Sequence, residues 1–113
     1  MSLVLAIDQG THASRALVVD EAGRAVARGV REIALVHPRP DWAEQDGEEI
    51  VASIFDAVAQ ALRSLGARSA EVSCAGLASQ RSNAVCWDRV TGRALSPVFS
   101  WQDRRAHAWI ASL

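Results

Sequence analysis

The chain opens on a continuous apolar run, Leu3 to Ile7, that stops at Asp8. A run of this length reads as a strand buried on both faces. A small, polar stretch over 8–14 predicts a tight turn, and Leu17, Val18 and Val19 restore a second strand over Arg15–Asp20. Glu21-Ala22-Gly23 predicts another turn, with Gly23 free to take positive φ. A third strand is expected over Ala25–Val36. Its Val26, Val30 and Leu35 are interspersed with Arg28, Arg31 and Glu32, which places it near an edge or with a bulge at Gly29. Three strands joined by short turns form an antiparallel meander.

Pro38 and Pro40 mark a loop over His37–Asp46. Asp46 followed by Glu49 has the spacing of a capping box. The helix it opens carries Ile50, Ile54, Val58, Ala61, Leu62 and Leu65 on one stripe and stops at Gly66. Strands are expected over Glu71–Leu77 and Ala84–Trp87, with a hairpin loop between Asp88 and Ala94 and an extended segment at Val98–Trp101. A last helix is expected from Gln102, with Ala106, Trp109, Ile110 and Leu113 on one face. No stop signal follows Leu113, the pattern expected of a fragment. The order β-β-β-α-β, then more strand and a helix, predicts an α/β layer arrangement. It matches half of a ribonuclease H-like (actin-like ATPase) domain, so the fold expected is a partial N-terminal domain with an antiparallel β-meander plus helices.

Composition changes this picture by exclusion. The 113 residues suit one domain or part of one, half of them are hydrophobic, and the net charge of −1 gives no basic excess for a nucleic-acid partner. All 12 basic residues are arginine. A P-loop, which places a lysine on the phosphates, is therefore excluded. The first apolar run is short and lacks a basic lead-in, so it reads as a strand rather than a signal peptide. No stretch reads as long enough to cross a membrane. Cys74 and Cys86 lie in apolar, strand-like segments and are expected as buried small hydrophobes, with a cytoplasmic setting as the default.

The turn after the first strand carries the candidate chemistry. A phosphate-holding turn needs outward backbone N–H groups, a glycine that lets the ligand approach, and small hydroxyl donors. Gly10, Thr11 and Ser14 supply the glycine and the hydroxyls, while His12 and Ala13 can add backbone N–H groups. Asp8 is an oxygen ligand for a water-clad Mg²⁺, and Arg15 adds charge against phosphate oxygens. The same letters also suit an ordinary polar turn.

The string AIDQGTHASRALVVD resembles the opening of the FGGY carbohydrate kinases, the glycerol kinases among them. PRPDWAEQD, ASQRSNAVCWD and VFSWQDRR resemble further family segments in the same order. The resemblance implies two actin-like domains, with ATP and substrate meeting between them. It implies Asp8 near Mg²⁺ and the transferred phosphate, with Gly10, Thr11, His12, Ala13 and Arg15 along the nucleotide phosphates. Glycerol kinases usually carry hydroxyl residues where His12 and Ala13 stand. The resemblance assigns Arg81 to substrate hydroxyls and Trp101 to the substrate's carbon face, with Ser82, Asp103 and Arg104 in the same cleft. Glycerol kinases carry a glutamate at the position of Ser82, and a serine accepts a hydroxyl proton more weakly, which weakens the case for glycerol and leaves the particular sugar or polyol open. The implied base aspartate and adenosine pocket lie beyond residue 113, so the chain alone is expected to be inactive. The implied partner is a small-molecule sugar or polyol; the apolar face of the last helix adds a homo-oligomer as a separate expectation.

Other readings stay open at this stage. Trp101 also fits a core aromatic, Arg81 a solvated charge, and Asp103 a cap for the last helix. Trp42 fits packing over the helix start, with Asp46 capping it. A ribonuclease H-like nuclease would need carboxylates converging on two metals, and only Asp88 offers a further one. A non-catalytic module dimerising through Trp109, Ile110 and Leu113 is the third reading.

Overall fold

A computed structural model describes residues 2–113. The chain forms two compact units. The first comprises the chain up to Ile33 together with Glu49–Gln80, and the second Ala34–Glu48 together with Arg81–Leu113.

In the first unit, β1 (Leu3–Gln9), β2 (Ala13–Val19) and β3 (Ala25–Glu32) form the expected antiparallel meander. The chain then runs through α1 (Gly47–Leu65) and a 3₁₀ turn (Gly66–Glu71) to β5 (Val72–Ser79). β5 joins β1 in parallel, which gives the sheet order β3-β2-β1-β5. A helical crossover is what a parallel pair requires. The core lies between α1 and one face of this sheet and holds Leu3, Leu5, Ala16, Val18, Ala27, Ala57 and Ala61.

β1 is buried on one face, not two. Leu3 and Leu5 pack inward, while Val4, Ala6 and Asp8 are exposed on the other side. The apolar run reflects two faces of different fate in this chain: α1 covers one, and the other stays open. Cys74 is exposed, not buried, because β5 is the sheet's edge and exposes nearly its whole length. Cys86 is exposed as well, on a hairpin of the second unit.

Asp46 caps α1 as expected, its Oδ1 accepting the Glu48 N–H at 2.8 Å. The buried line of the helix is Ser53, Ala57 and Ala61, with the larger Ile54 and Val58 at its flanks. Small residues occupy the centre because helix and sheet approach closely there. Gly29 marks that approach: a Cβ at Gly29 would stand 1.9 Å from the Ala57 carbonyl oxygen. The irregular register of β3 falls between Val18 and Val19 of β2, so Gly29 is a packing glycine rather than a bulge. Gln60 of α1 also satisfies the edge, accepting from the Val30 N–H at 3.2 Å and donating to the Val30 carbonyl at 2.9 Å. Gly66 ends the helix with φ of 59°. By length and composition alone, Gly47–Glu71 is apolar enough to span a membrane, contrary to the sequence expectation. Its small-residue face packs on the sheet as a core helix does.

The third strand ends at Glu32, short of the expected Val36, which returns only as an isolated bridge to Glu44. In the second unit, β4 (Glu44–Gln45) pairs antiparallel with β6 (Val98–Phe99). The segment expected as a strand at Ala84–Trp87 makes only single bridges, Ala84 to Phe99 and Trp87 to Ala94. The last helix is a short α2 (His107–Ile110), and Trp109, Ile110 and Leu113 are exposed.

Candidate functional site

The turn between β1 and β2 is narrow and fully braced. Asp8 stands opposite Arg15, and Gln9 opposite Ser14. The Gly10 N–H donates to the Ala13 carbonyl at 2.9 Å and closes the loop. The buried Gln9 side chain donates to the Gly10 carbonyl at 2.8 Å. Flanking strands add the Gln80 N–H to the Gln9 carbonyl at 2.7 Å and the Ile33 N–H to the His12 carbonyl at 3.0 Å. A turn held from both sides fixes the direction of its outer edge, which is where Thr11 and His12 lie.

Two residues of this turn are buried. Ala13 is buried, so its methyl belongs to the packing. Ser14 is fully buried and hydrogen-bonds Ser53 Oγ at 2.7 Å, while Ser53 donates to the Ile50 carbonyl at 2.6 Å. Ser14 is thus a bridge between β2 and α1, not the hydroxyl donor expected from sequence. Alternation decides this: Ser14 and Arg15 are neighbours on a strand and face opposite sides.

Asp8 and Arg15 are both exposed on the open face of the sheet. With Ala6, Leu17, Arg28 and Val30 they line a concave surface of about 780 Å³. No group of three or more metal-ligating side chains occurs among the described residues. Mg²⁺ does not need one, because it keeps several waters and takes one or two carboxylates plus phosphate oxygens. Asp8 is the one carboxylate lining this surface, and it is exposed at the mouth of the glycine turn.

The remaining candidates lie in the second unit. Arg81 and Ser82 are exposed, and Ser82 has φ of 64°. Asn83 Oδ1 accepts the Trp101 N–H at 2.8 Å, which ties this loop to Trp101 across 18 residues. Trp101 is 54% exposed and is therefore not a core aromatic.

Asp103 is held differently. Its Oδ2 accepts the Ala43 N–H at 2.8 Å and Arg105 Nη2 at 2.7 Å, and its Oδ1 accepts Arg105 Nε at 2.9 Å. The Arg105 guanidinium holds the Asp103 carboxyl well below the usual carboxylate range, against burial, with the Ala43 N–H assisting. α2 begins at His107 with Ala106 before it, so Asp103 does not cap it. Arg105 itself bonds Glu44 at 2.6 Å and lies over the rings of Trp42 at 3.9 Å and Phe99 at 4.6 Å. Trp42 therefore stacks with arginines, Arg39 being the other at 4.8 Å, instead of packing over the helix start.

Sequence reading missed Arg105 and Asn83. The available signal for Arg105 was the presence of a Trp and a Glu in one motif and of an arginine pair in another. Asp88, the carboxylate a nuclease reading needs, is folded into its own turn, accepting the Val90 and Thr91 N–H groups at 2.9 and 2.7 Å.

The N-terminal-domain profile of the FGGY family of carbohydrate kinases matches residues 3–113. A glycerol kinase of Acinetobacter baylyi is 43% identical over the whole chain, which spans 23% of that relative. Among solved structures, a glycerol kinase of Plasmodium falciparum with ADP superposes with a TM-score of 0.89 at 25% identity, over 99% of this chain and 22% of its own. A xylulose kinase of Brucella ovis superposes with a TM-score of 0.85 at 30% identity, over 97% of this chain and 23% of its own. The ribonuclease H-like, actin-like fold expected from the order of elements is the fold of these neighbours. The chain, a little under a quarter of the length of the relatives it matches, belongs to the FGGY family of carbohydrate kinases, within the N-terminal domain.

Proposed function

We propose that this chain is the N-terminal portion of an ATP-dependent carbohydrate or polyol kinase, which transfers the γ-phosphate of ATP to a substrate hydroxyl. The observation that carries the reading is the braced turn with Asp8 and Arg15 side by side on the exposed face, in a chain of this family. Phosphoryl transfer is mainly positioning and charge neutralisation. Gly10, Thr11, His12 and Ala13 would present the turn's backbone to the nucleotide phosphates, and Arg15 would neutralise phosphate oxygens. Asp8 would hold Mg²⁺, which supplies charge stabilisation on the phosphates when bound.

The substrate side is assigned to Arg81, Ser82 and Trp101. A guanidinium donates to hydroxyls, and an indole covers the carbon face of a polyol. Asp103 serves this side by holding the segment after Trp101, since both its oxygens are already engaged. The substrate is a sugar or polyol, and the setting is cytoplasmic, where ATP is the common phosphate donor. The base aspartate and adenosine pocket are placed beyond residue 113.

The test has two arms. The purified 113-residue chain is expected to show no sugar- or polyol-dependent ADP release, and turnover by it alone would overturn that assignment. In the full-length kinase, Asp8→Asn is expected to lower kcat by about 100-fold or more, in the range of lost electrostatic stabilisation. An unchanged kcat would remove Asp8 from the site.

A second reading is favoured by Trp109, Ile110 and Leu113, exposed at 65%, 59% and 87%. A chain of this length would associate with a second copy through them. Light scattering on the chain decides this, and a monomer at high concentration counts against it.

A further inference from the structure

Ser82 is the only non-glycine residue with positive φ among the described residues. A side chain makes that conformation unfavourable, and it persists only where the surroundings over-determine it. The constraint on its C-terminal side is specific. Asn83 Oδ1 accepts the Trp101 N–H at 2.8 Å, and the next residue locks in place through Ala84 N–H to the Phe99 carbonyl at 3.1 Å and Phe99 N–H to the Ala84 carbonyl at 2.7 Å. Between Phe99 and Trp101, the Ser100 N–H donates to the Ala43 carbonyl at 3.0 Å. The backbone pairing thus runs up to Phe99 and Ser100. Beyond it, the bond that joins the loop of Arg81 to the Trp101 backbone is made by one side chain, Asn83. An amide oxygen there is the acceptor a backbone N–H requires, which fixes the orientation of the amide.

The geometry points to Asn83 as a positioning residue for substrate recognition. It holds the turn that displays Arg81 and Ser82 against the residue that displays the Trp101 indole, and so sets the spacing between a hydroxyl-binding guanidinium and a carbon-facing ring. That spacing selects among alcohols of different length. Ser82 contributes the left-handed step that turns the chain between Arg81 and Asn83. The inference rests on the proposed assignment of Arg81 and Trp101 to the substrate.

The experiment is steady-state kinetics of the full-length kinase with glycerol and xylulose as probes. Asn83→Ala is expected to raise KM for the phosphorylated alcohol by about tenfold, the loss equivalent to one hydrogen bond. KM for ATP is expected to stay the same and kcat to change less than about twofold. Asn83→Asp, which keeps an oxygen at the same reach, is expected to restore KM to within about threefold. Asn83→Ser, too short to reach Trp101, is expected to behave as Asn83→Ala does and serves if the alanine variant fails to fold. An unchanged alcohol KM in both short variants overturns the inference, as does an equal rise in both KM values. Arg81→Ala separates the underlying assignment: if it leaves the alcohol KM unchanged, that assignment fails. If Arg81→Ala raises KM and Asn83→Ala does not, only the positioning role fails. If neither probe is turned over, a wider panel of sugars and polyols takes their place, and turnover of none of them removes the assignment and the inference together.

Discussion

Gly29 of β3 and the Ala57 carbonyl of α1 meet so closely that a Cβ on Gly29 would stand 1.9 Å from the oxygen. The helix can settle this low because its buried line is Ser53, Ala57 and Ala61, none larger than serine or alanine. That close seat brings Ser53 within 2.7 Å of Ser14, and Ser14 sits beside the turn proposed to hold phosphate. Core packing and turn geometry are therefore one structural problem.

Gly29→Ala is expected to be strongly destabilising, because the obstacle is backbone and not a flexible side-chain tip. Overpacking of this kind costs about 3 kcal/mol or more. Urea denaturation reads the loss as a lower midpoint. A midpoint equal to the parent's would mean that helix and sheet are not in contact at this position.

Ser14→Ala and Ser53→Ala each leave a buried hydroxyl without its partner across the helix–sheet contact. Each is expected to cost about 1–2 kcal/mol. The double variant is expected to cost less than the sum of the two, with a coupling of about 1 kcal/mol. Strict additivity in a double-mutant cycle would show that the two hydroxyls do not act as a pair.

Acid is expected to loosen the second unit through Asp103. Its carboxyl is held below its unfolded value of about 3.9, so its contribution is fully present above that pH and is lost as pH falls towards the folded value. The unfolded state binds the proton first, and stability falls with falling pH. Asp103→Asn is expected to be less stable at neutral pH and to show a flatter loss below about pH 4. Parallel curves for the two proteins below pH 4 would remove Asp103 as a source of acid sensitivity.

Arg105→Lys is expected to lower the thermal midpoint although the charge is kept. A lysine cannot reproduce the planar fork on Asp103 and Glu44 while lying over Trp42 and Phe99. Trp42→Leu should weaken the same stack, and the two effects should not add. A lysine variant as stable as the parent would show that charge alone holds this cluster.

The meander, the cap at Asp46, the stop at Gly66 and the family were legible in the sequence, because each depends on residues close together in the chain or on motifs in fixed order. Local spacing also placed Asp8 and Arg15 on either side of one turn. Burial was less legible. Leu3–Ile7 read as a strand buried on both faces and Cys74 as a buried small hydrophobe, but apolar letters state what a face can tolerate, not what covers it. Of the helix stripe read from sequence, Ala61 is in the core and Val58 and Leu65 pack against it, while Ser53 and Ala57 were missed because their small size, suited to the distance to a glycine on another strand, carries no apolar signal.

Sequence by itself determined the order of elements, the turn after β1 and the residue types offered for phosphate and hydroxyl chemistry. The tertiary structure decided which of them face outward: Ser14 went into the core, Asp103 into an ion-pair cluster, and Asp8 and Arg15 onto the open face. It also brought forward Arg105 and Asn83, whose partners lie 61 and 18 residues away. Alternation along a strand is written locally. The partner that a buried hydroxyl, a guanidinium or an amide finds is set by the packing of distant segments, and that was decided only when the chain closed on itself.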